Sequence, residues 1–459
     1  MRSTGYWLSV VALGVLLIGV RAPAETTPGA AIASSAVPVL PGLKTQIEFW
    51  KQIFATYSTR QVVIHDTLRL NRIYEVLDFR PLAEAGFSDA DIAAYATNKV
   101  RDEKERIRAI LIRLHQLGSS PPELTEEERK IWGLFADVKE PAELLDAAAE
   151  DRIRAQTGLR ERFAAGVEVS HRYLPEMEAV FRREGLPLEL TRLPLVESCF
   201  NVRAYSKVGA AGIWQFMPST GRLYLHIDHA VDERRDPLAA TTAAAQYLKA
   251  NHDLLGNWPL AITAYNHGRA GIAHAVATVG SSDLTDIIAR YHGPAFKFAS
   301  RNFYAEFLAA VDVERHFKDY FGELRAAQPV QARTIIVPDY VSMKALARAA
   351  DTEVDTLVDL NPALAPEVIS GKLHVPKGYS LRIPAASAAT FTARYASLAA
   401  GEKHRAQRAL YVTHRVKPGQ TLLSIAKRYR TTVAAIKREN NLRSVSRLRA
   451  GQSLVIPTG

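Results

Sequence analysis

The stretch Leu193-Pro-Leu-Val-Glu-Ser-Cys-Phe-Asn201, followed by Ser206-Lys-Val-Gly-Ala-Ala-Gly-Ile-Trp-Gln-Phe-Met-Pro-Ser-Thr220, decides how this chain is read. Leu190, Leu193 and Val196 recur at helical spacing, so the first part reads as the end of an apolar helix with Glu197 at the edge of its buried side. A carboxyl at such an edge loses hydration, which disfavours the ionised form and raises its pKa. An acid that holds its proton near neutrality is what a glycosidic oxygen needs from a general acid. Taken alone, Glu197 reads better as an exposed helix-terminal residue paired with a neighbouring Arg.

The residues that follow change the weighting. Gly209 and Gly212 allow tight turns and close backbone approach in a loop that runs into a helix start. Trp214 and Phe216 suit a core, while Gln215 and Met217 suit a groove beside Glu197. Asp232-Glu-Arg-Arg-Asp-Pro237 forms a polar turn ahead of the next helix, and Ala264-Tyr-Asn-His-Gly268 ends an apolar helix in a polar cluster. No second acid occupies an evident motif position; Asp232 and Asp236 read as turn-formers and salt-bridge partners.

In order and spacing, Glu197-Ser198, Ser206, Gly209-Ala210, Gly212 through Thr220 and Ala264-Tyr265-Asn266 resemble the transglycosylase domain shared by soluble lytic transglycosylases and the membrane-bound lytic transglycosylase D family. The resemblance implies a goose-lysozyme-like helical domain over 166–325 that cleaves peptidoglycan between N-acetylmuramic acid and N-acetylglucosamine. By position, Glu197 would be its single catalytic acid/base. Ser206 and Gln215 would hydrogen-bond the substrate or the surroundings of the carboxylate, Met217 would pack against sugar, and Tyr265 and Asn266 would orient the acetamido sugar. The family's late tyrosine falls in Arg301-Asn-Phe-Tyr-Ala305, where Phe303 and Tyr304 leave that role open.

A single acid fits a substrate-assisted route rather than the two-carboxylate scheme of common glycosidases. The acetamido carbonyl would stabilise the anomeric carbon and the muramic C6 hydroxyl would close a 1,6-anhydro ring, with no metal and no cofactor. Two other readings stand beside it. One is a lysozyme-type muramidase in which water attacks, which a well-placed second carboxylate would support. The other is a non-catalytic peptidoglycan-binding scaffold, against which the joint presence of Glu197, Ser206, Gln215, Tyr265 and Asn266 speaks.

Upstream, Arg2, the apolar run Trp7–Val20 and Ala22-Pro23-Ala24 read as a signal peptide over 1–24. The run is short for a membrane span. With no cysteine near the cleavage site, no stable membrane anchor is expected after cleavage. Residues 25–45, rich in Ala, Pro, Thr and Ser, read as a flexible leader, and 46–165 as a region of amphipathic helices that buttresses the catalytic domain. Asp66, Glu75 and the charge runs Arg101–Arg106 and Glu126–Lys130 read there as solvated faces. Cys199 is the only cysteine, which excludes an intramolecular disulfide and reads as a buried thiol.

Downstream, 330–386 alternates strand, helix, helix and strand; a low-complexity linker over 387–409 follows, and 410–458 repeats the same order. In the last module His414–Tyr429, Asn440-Asn441-Leu442 and Leu448–Pro457 resemble a LysM domain, which implies binding to N-acetylglucosamine-containing glycans. Gly419, Gln420, Thr421, Leu422, Asn440 and Asn441 would line the groove, or would serve only as turns. Segment 330–386 resembles a degenerate LysM without a clear Pro-Gly turn. The expected fold is therefore mainly α, with a helical N-terminal region and small α+β (βααβ) LysM modules. The net charge of +10 points to an anionic partner, and 410–458 concentrates it, with ten basic residues to one acidic. In an exported chain that partner is an anionic wall polymer, not nucleic acid.

Overall fold

The computed structural model describes residues 36–118, 123–136, 142–440, 442 and 448–457. The signal peptide, the leader up to residue 35 and Asn441 lie outside the described residues. From residue 36 onward the leader is already part of the fold: Val37 and Leu43 are buried, and the Pro38 carbonyl oxygen accepts a hydrogen bond from the Tyr304 hydroxyl at 2.6 Å.

The first part of the chain runs through α1 (Lys44–Ala55), β1 (Gln61–Asp66), β2 (Ile73–Asp78), α2 (Asp89–Leu117), β3 (Ile153–Thr157) and α3 (Arg160–Ser170). It continues through α4 (Leu193–Glu197), α5 (Pro237–Leu255), α6 (Trp258–His267) and α7 (Phe298–Arg315). Local chemistry sets the helix starts. Asp236 accepts from the amides of Leu238 and Ala239 ahead of Pro237, and Asn257 accepts from the Leu260 amide ahead of α6. One apolar core joins α1, α3, α4, α5 and α6 around α7. α7 is accordingly buried on almost every side: from Asn302 to Ala310 every residue is buried except Glu306, which is half-buried.

The N-terminal region adds a three-stranded antiparallel sheet in the order β2-β1-β3 that helical periodicity did not reveal. Ile73, Val76 and Leu77 fit a helical spacing but lie on β2, where Val76 pairs with Val63 of β1. β-Branched side chains pack well on a pleated surface once neighbouring strands are supplied, and those partners are distant in sequence. Asp66 is likewise not solvated. It is fully buried, pairs with Arg152 at 2.7 Å, and accepts from the amides of Leu68 and Arg69. Glu103 and Glu128 from the charge runs are also buried, one paired with Arg106, the other closing a capping box with Thr125. Glu75 is partly exposed and pairs with Lys130 at 3.0 Å.

Both C-terminal modules are βααβ units. The first comprises β4 (Ala332–Ile336), α8 (Met343–Ala349), α9 (Val354–Leu360) and β5 (Ser380–Pro384), with β4 antiparallel to β5. The expected linker is instead structured: α10 (Ala388–Ala396) places Phe391 and Tyr395, one turn apart, in this module's core, and the Tyr395 hydroxyl donates to Asp339 at 2.9 Å. Its alanines, read as low complexity, are good helix formers. The last module comprises β6 (Tyr411–Arg415), α11 (Leu422–Arg428), α12 (Val433–Glu439) and β7 (Ser453–Pro457), with β6 antiparallel to β7.

The first module is bound to the helical core around α7 through the loop between α9 and β5. The Asp232 amide donates to the Ala363 carbonyl oxygen at 2.8 Å, the Ala365 amide to the Ala230 carbonyl oxygen at 2.9 Å, and Ala230 and Val231 enter the module's own core.

Candidate active site

A 3-10 turn, Leu188–Arg192, leads into α4, and Glu197 is the last residue of that helix, with Leu190 and Leu193 buried beneath it. The chain then turns sharply. Cys199 and Phe200 adopt φ of 49° and 53°, and Gln215 on the facing loop adopts 49°. Left-handed backbone at a non-glycine residue costs about 1 kcal/mol or more, and it persists where surrounding structure holds it. Here the hold is tight. A Cβ on Gly166 of α3 would lie 2.7 Å from the Cys199 carbonyl oxygen, so α3 approaches the turn closely only because that position is glycine.

The loop Ser206–Gln215 is built as a rigid cradle. The Ser206 hydroxyl accepts from the Ala210 amide at 2.8 Å, while backbone bonds join Ser206 to Ala210 and Gly212 to Ala204. Gly212 has φ of 74°, and a Cβ there would fall 1.9 Å from the Arg234 carbonyl oxygen. The buried Arg234 guanidinium donates to the carbonyl oxygens of Gly209 at 2.7 Å and Phe216 at 3.0 Å and pairs with Asp232. The cradle is tied to the helix carrying Glu197 by Ser198, whose hydroxyl donates to the Ile213 carbonyl oxygen at 2.9 Å. It is tied to α6 by Tyr265, whose hydroxyl donates to the Trp214 carbonyl oxygen at 2.8 Å. Trp214 is itself fixed by an indole bond to Thr241 at 2.9 Å and a stacked contact with Phe181.

Within this frame Glu197 makes no hydrogen bond or ion pair with another group among the described residues, and burial pushes its carboxyl up to about 8. Tyr265 is raised by burial and, next, by the nearby charge of Glu197. Cys199, expected to be buried, is half-buried, and its surroundings push its thiol up to about 11.

The residues singled out from sequence fall into two groups. Glu197, Ser206, Gln215 and Tyr265 belong to one connected frame, with the Gln215 amide donating to the Gly212 carbonyl oxygen at 2.8 Å. Met217 follows the cradle in sequence and is 40% exposed, and Tyr205 and Val208 are exposed as well. Asn266 is exposed and accepts from the Ser300 hydroxyl of α7 at 3.2 Å; Ser300 also contacts His267 Nδ1 at 3.0 Å. Neither candidate for the late aromatic position offers a free hydroxyl: Phe303 is buried and lacks one, and Tyr304 spends its own on Pro38.

In the last module Gly419 makes a turn at φ of 79° and Thr421 caps α11. Gln420 accepts from the Lys417 amide at 2.8 Å and contacts His414 at 2.8 Å, and Leu422 is buried in the module's core.

One acidic residue was missed. Glu306, one turn beyond Phe303 on α7, is raised to about 8 by burial first and then by repulsion from Glu197. Arg154 of β3, seated over the Phe298 ring at 4.3 Å, is the cation it senses. The only sequence signal was a charged residue in an otherwise apolar helical run, Phe303–Ala310.

Three family models match parts of the chain. Residues 177–288 match the family described as Transglycosylase SLT domain. Residues 331–400 match the LysM-like domain of lytic transglycosylase MltD, and 414–457 match the LysM domain. The chain is 29% identical over 286 residues to membrane-bound lytic murein transglycosylase D of Escherichia coli strain K12, an alignment covering 61% of this chain and 62% of that one. Among solved structures it is similar to the lytic transglycosylase Slt of Pseudomonas aeruginosa, in an inactive mutant form, at 17% identity and a TM-score of 0.29, over 49% of this chain and 38% of that one. It is also similar to the 70 kDa soluble lytic transglycosylase of Escherichia coli, at 16% identity and a TM-score of 0.27, over 50% of this chain and 45% of that one. Residues 177–288 thus match the transglycosylase SLT domain family, in a chain whose later residues match an MltD-type LysM-like domain and a LysM domain.

Proposed function

We propose that the chain is an exported peptidoglycan lytic transglycosylase that cleaves the β-1,4 bond between N-acetylmuramic acid and N-acetylglucosamine without water. The observation that carries this reading is Glu197. It ends a helix whose Leu193, Pro194 and Leu195 are buried, its charge acts on Tyr265, which is bonded to the cradle, and burial holds its carboxyl in the acid form at neutral pH. In the first step that acid gives its proton to the glycosidic oxygen, the bond from the muramic C1 breaks, and the acetamido carbonyl oxygen shares its electrons with C1. In the second the resulting carboxylate takes the proton of the muramic C6 hydroxyl as O6 bonds to C1 and the acetamido oxygen leaves C1 with its electrons. The proton returns to Glu197, so atoms balance and no water is consumed.

A hydrolase would use a second carboxylate as base or nucleophile. Glu306 is poorly suited to either, because burial and the charge of Glu197 favour its neutral form. The Ser198 bond to the Ile213 carbonyl oxygen fixes the helix carrying the acid against the cradle that Ser206, Gln215 and Tyr265 brace, and preorganisation of this kind supplies much of a glycosidase's rate. Exposed Tyr205, Val208 and Met217 offer apolar surface to sugar faces, and Asn266 offers its amide to the acetamido group.

Export rests on the signal-peptide pattern, and no helix among the described residues is long and apolar enough to cross a membrane. Wall retention rests on the LysM match and its basic surplus. The chain spans about three-fifths of the length of the curated relative it matches, covering 62% of it. The deciding experiment is mass spectrometry of purified peptidoglycan digested by the mature protein beside Glu197→Gln. Products ending in 1,6-anhydromuramic acid, absent with the variant, are expected; reducing muramic ends would replace this reading with a hydrolase.

A further inference from the structure

The LysM-like module docks on segments that also hold the cradle. Residues 230–232 pair like a strand with the loop between α9 and β5. Val231 and Leu364 form an antiparallel bridge, the Asp232 amide donates to the Ala363 carbonyl oxygen at 2.8 Å, and the Ala365 amide donates to the Ala230 carbonyl oxygen at 2.9 Å. Ala230 and Val231 are buried in the module's own core. Arg382 of β5 grips Asp236, the cap of α5. Asp359 of α9 pairs with Arg203 at 2.8 Å, next to Ala204, whose carbonyl oxygen accepts from the Gly212 amide of the cradle at 2.9 Å.

Asp232 is where the docking strand meets the cradle. Its amide is spent on the module, while its carboxylate accepts from the buried Arg234, from Nε at 2.9 Å and from Nη2 at 2.7 Å. Arg234 in turn donates to the Gly209 and Phe216 carbonyl oxygens, and its own carbonyl oxygen lies 1.9 Å from where a Cβ on Gly212 would fall. A guanidinium fork is placed only as firmly as the carboxylate that receives it. That carboxylate stands on backbone fastened to the module. The cradle needs such a hold, because Gln215 at φ of 49° is strained and persists only where its surroundings fix it. A module that served only to keep the enzyme near its substrate would need no pairing of this kind, since a flexible linker suffices and relative motion is the ordinary state of joined domains.

We propose that the LysM-like module is a brace of the active site: by pairing with residues 230–232 it makes Asp232 and Arg234 positioning residues for the cradle, and glycan is cleaved at full rate only while that pairing holds. This rests on the reading of the cradle as part of a transglycosylase site. The module then acts on turnover, and retention on the wall falls to the last module. The contacts run from the module's backbone to the cradle's backbone with no glycan between them, so the brace works on any glycan that reaches Glu197.

In the full chain, Ala365→Pro tests the pairing at a single bond. Ala365 already has φ of −70° and Leu364 before it lies in the bridge, so proline suits the backbone while its ring replaces the amide hydrogen that binds Ala230. Ala365→Gly keeps the amide and serves as control. On soluble peptidoglycan strands, which need no wall retention, Ala365→Pro should lower kcat about tenfold with KM unchanged, and Ala365→Gly should stay within about twofold of wild type. Combined with Arg234→Lys, the two losses should overlap, the double variant falling no further than the lower single. A wild-type kcat in Ala365→Pro, a loss confined to KM, or additive losses overturns the proposal. A second measurement needs no variant: native-state amide hydrogen exchange of the wild type at rising denaturant. The Ala210 and Gly212 amides of the cradle should open together with those of Asp232 and Ala365, as one cooperative unit. Either set opening without the other overturns the coupling. If the wild type releases no anhydro products, the proposed activity fails instead, and the exchange experiment still decides the coupling.

Discussion

Asp236 and Arg382 form a two-pronged ion pair between the catalytic core and the LysM-like module, with Arg382 Nη2 3.0 Å from Asp236 Oδ1. The same carboxylate caps α5, the helix whose Thr241 anchors Trp214 of the cradle. The module is thus fastened to an element that also shapes the site. Arg382→Met keeps most of the side-chain stem, removes the charge and leaves Asp236 only its amide partners. Because the pair is partly solvated, a loss of about 2 kcal/mol is expected rather than the full value for a buried pair. Calorimetry should show a lower melting midpoint, with the module unfolding ahead of the catalytic core. A midpoint equal to wild type would mean that backbone bonds at Ala363 and Ala365 carry the docking alone.

Gly212→Ala tests the cradle. The new Cβ would meet the Arg234 carbonyl oxygen at 1.9 Å on a backbone with φ of 74°, so the loop must shift. Misplacing reacting groups by about 1 Å costs on the order of 100-fold in rate. Muropeptide release should fall at least that far, while circular dichroism stays that of a folded helical protein. Near-normal release would show that the loop geometry does not set the site.

How much of this was legible beforehand depended on distance along the chain. The end of α4, the glycine turns, the polar turn ahead of α5 and the order of both βααβ modules are local patterns, readable because each residue's partner lies a few positions away. The N-terminal sheet was not readable: β1 and β3 are separated by most of that region, and Ile73, Val76 and Leu77 fit a helical period as well as a strand. Asp66 is hidden for the same reason, since its burial depends on Arg152. Glu306 escaped because it belongs to no motif. Only the packing of α7 on α4 brings it near Glu197, and a single charge in an apolar helix reads as surface until the helix proves to be central.

The pH dependence of stability follows from Glu197 itself. Its ordinary value is 4.5 and burial lifts it to about 8, so folding favours the protonated form. The stability linked to this group is fully present below pH 4.5 and is lost as pH rises toward 8. Glu197→Gln keeps the shape of the neutral acid and removes the penalty of ionising it. Thermal melts should therefore coincide for wild type and variant near pH 4, with the variant melting a few degrees higher near pH 8. Activity should be lost at every pH. Parallel stability curves would mean that Glu197 is better hydrated in solution than its surroundings indicate.

In the last module, Asn440 lies in the stretch expected to contact glycan, yet its side chain is occupied. Its amide donates to the Ile436 and Val455 carbonyl oxygens at 2.8 and 2.6 Å, and its oxygen accepts from the Val455 amide at 2.8 Å. Asn361 of the first module makes the matching pair of bonds with Arg382, at 2.8 and 2.9 Å. A side chain that imitates a strand's backbone fastens the second helix to the last strand, in both modules. Asn440→Ala would leave the Val455 amide and carbonyl without these partners, at a cost of roughly 1–3 kcal/mol. The expected result is a lower melting point for this module, with binding to insoluble wall retained at temperatures where it remains folded. Loss of binding by a fully folded variant would instead return Asn440 to the glycan-contacting surface.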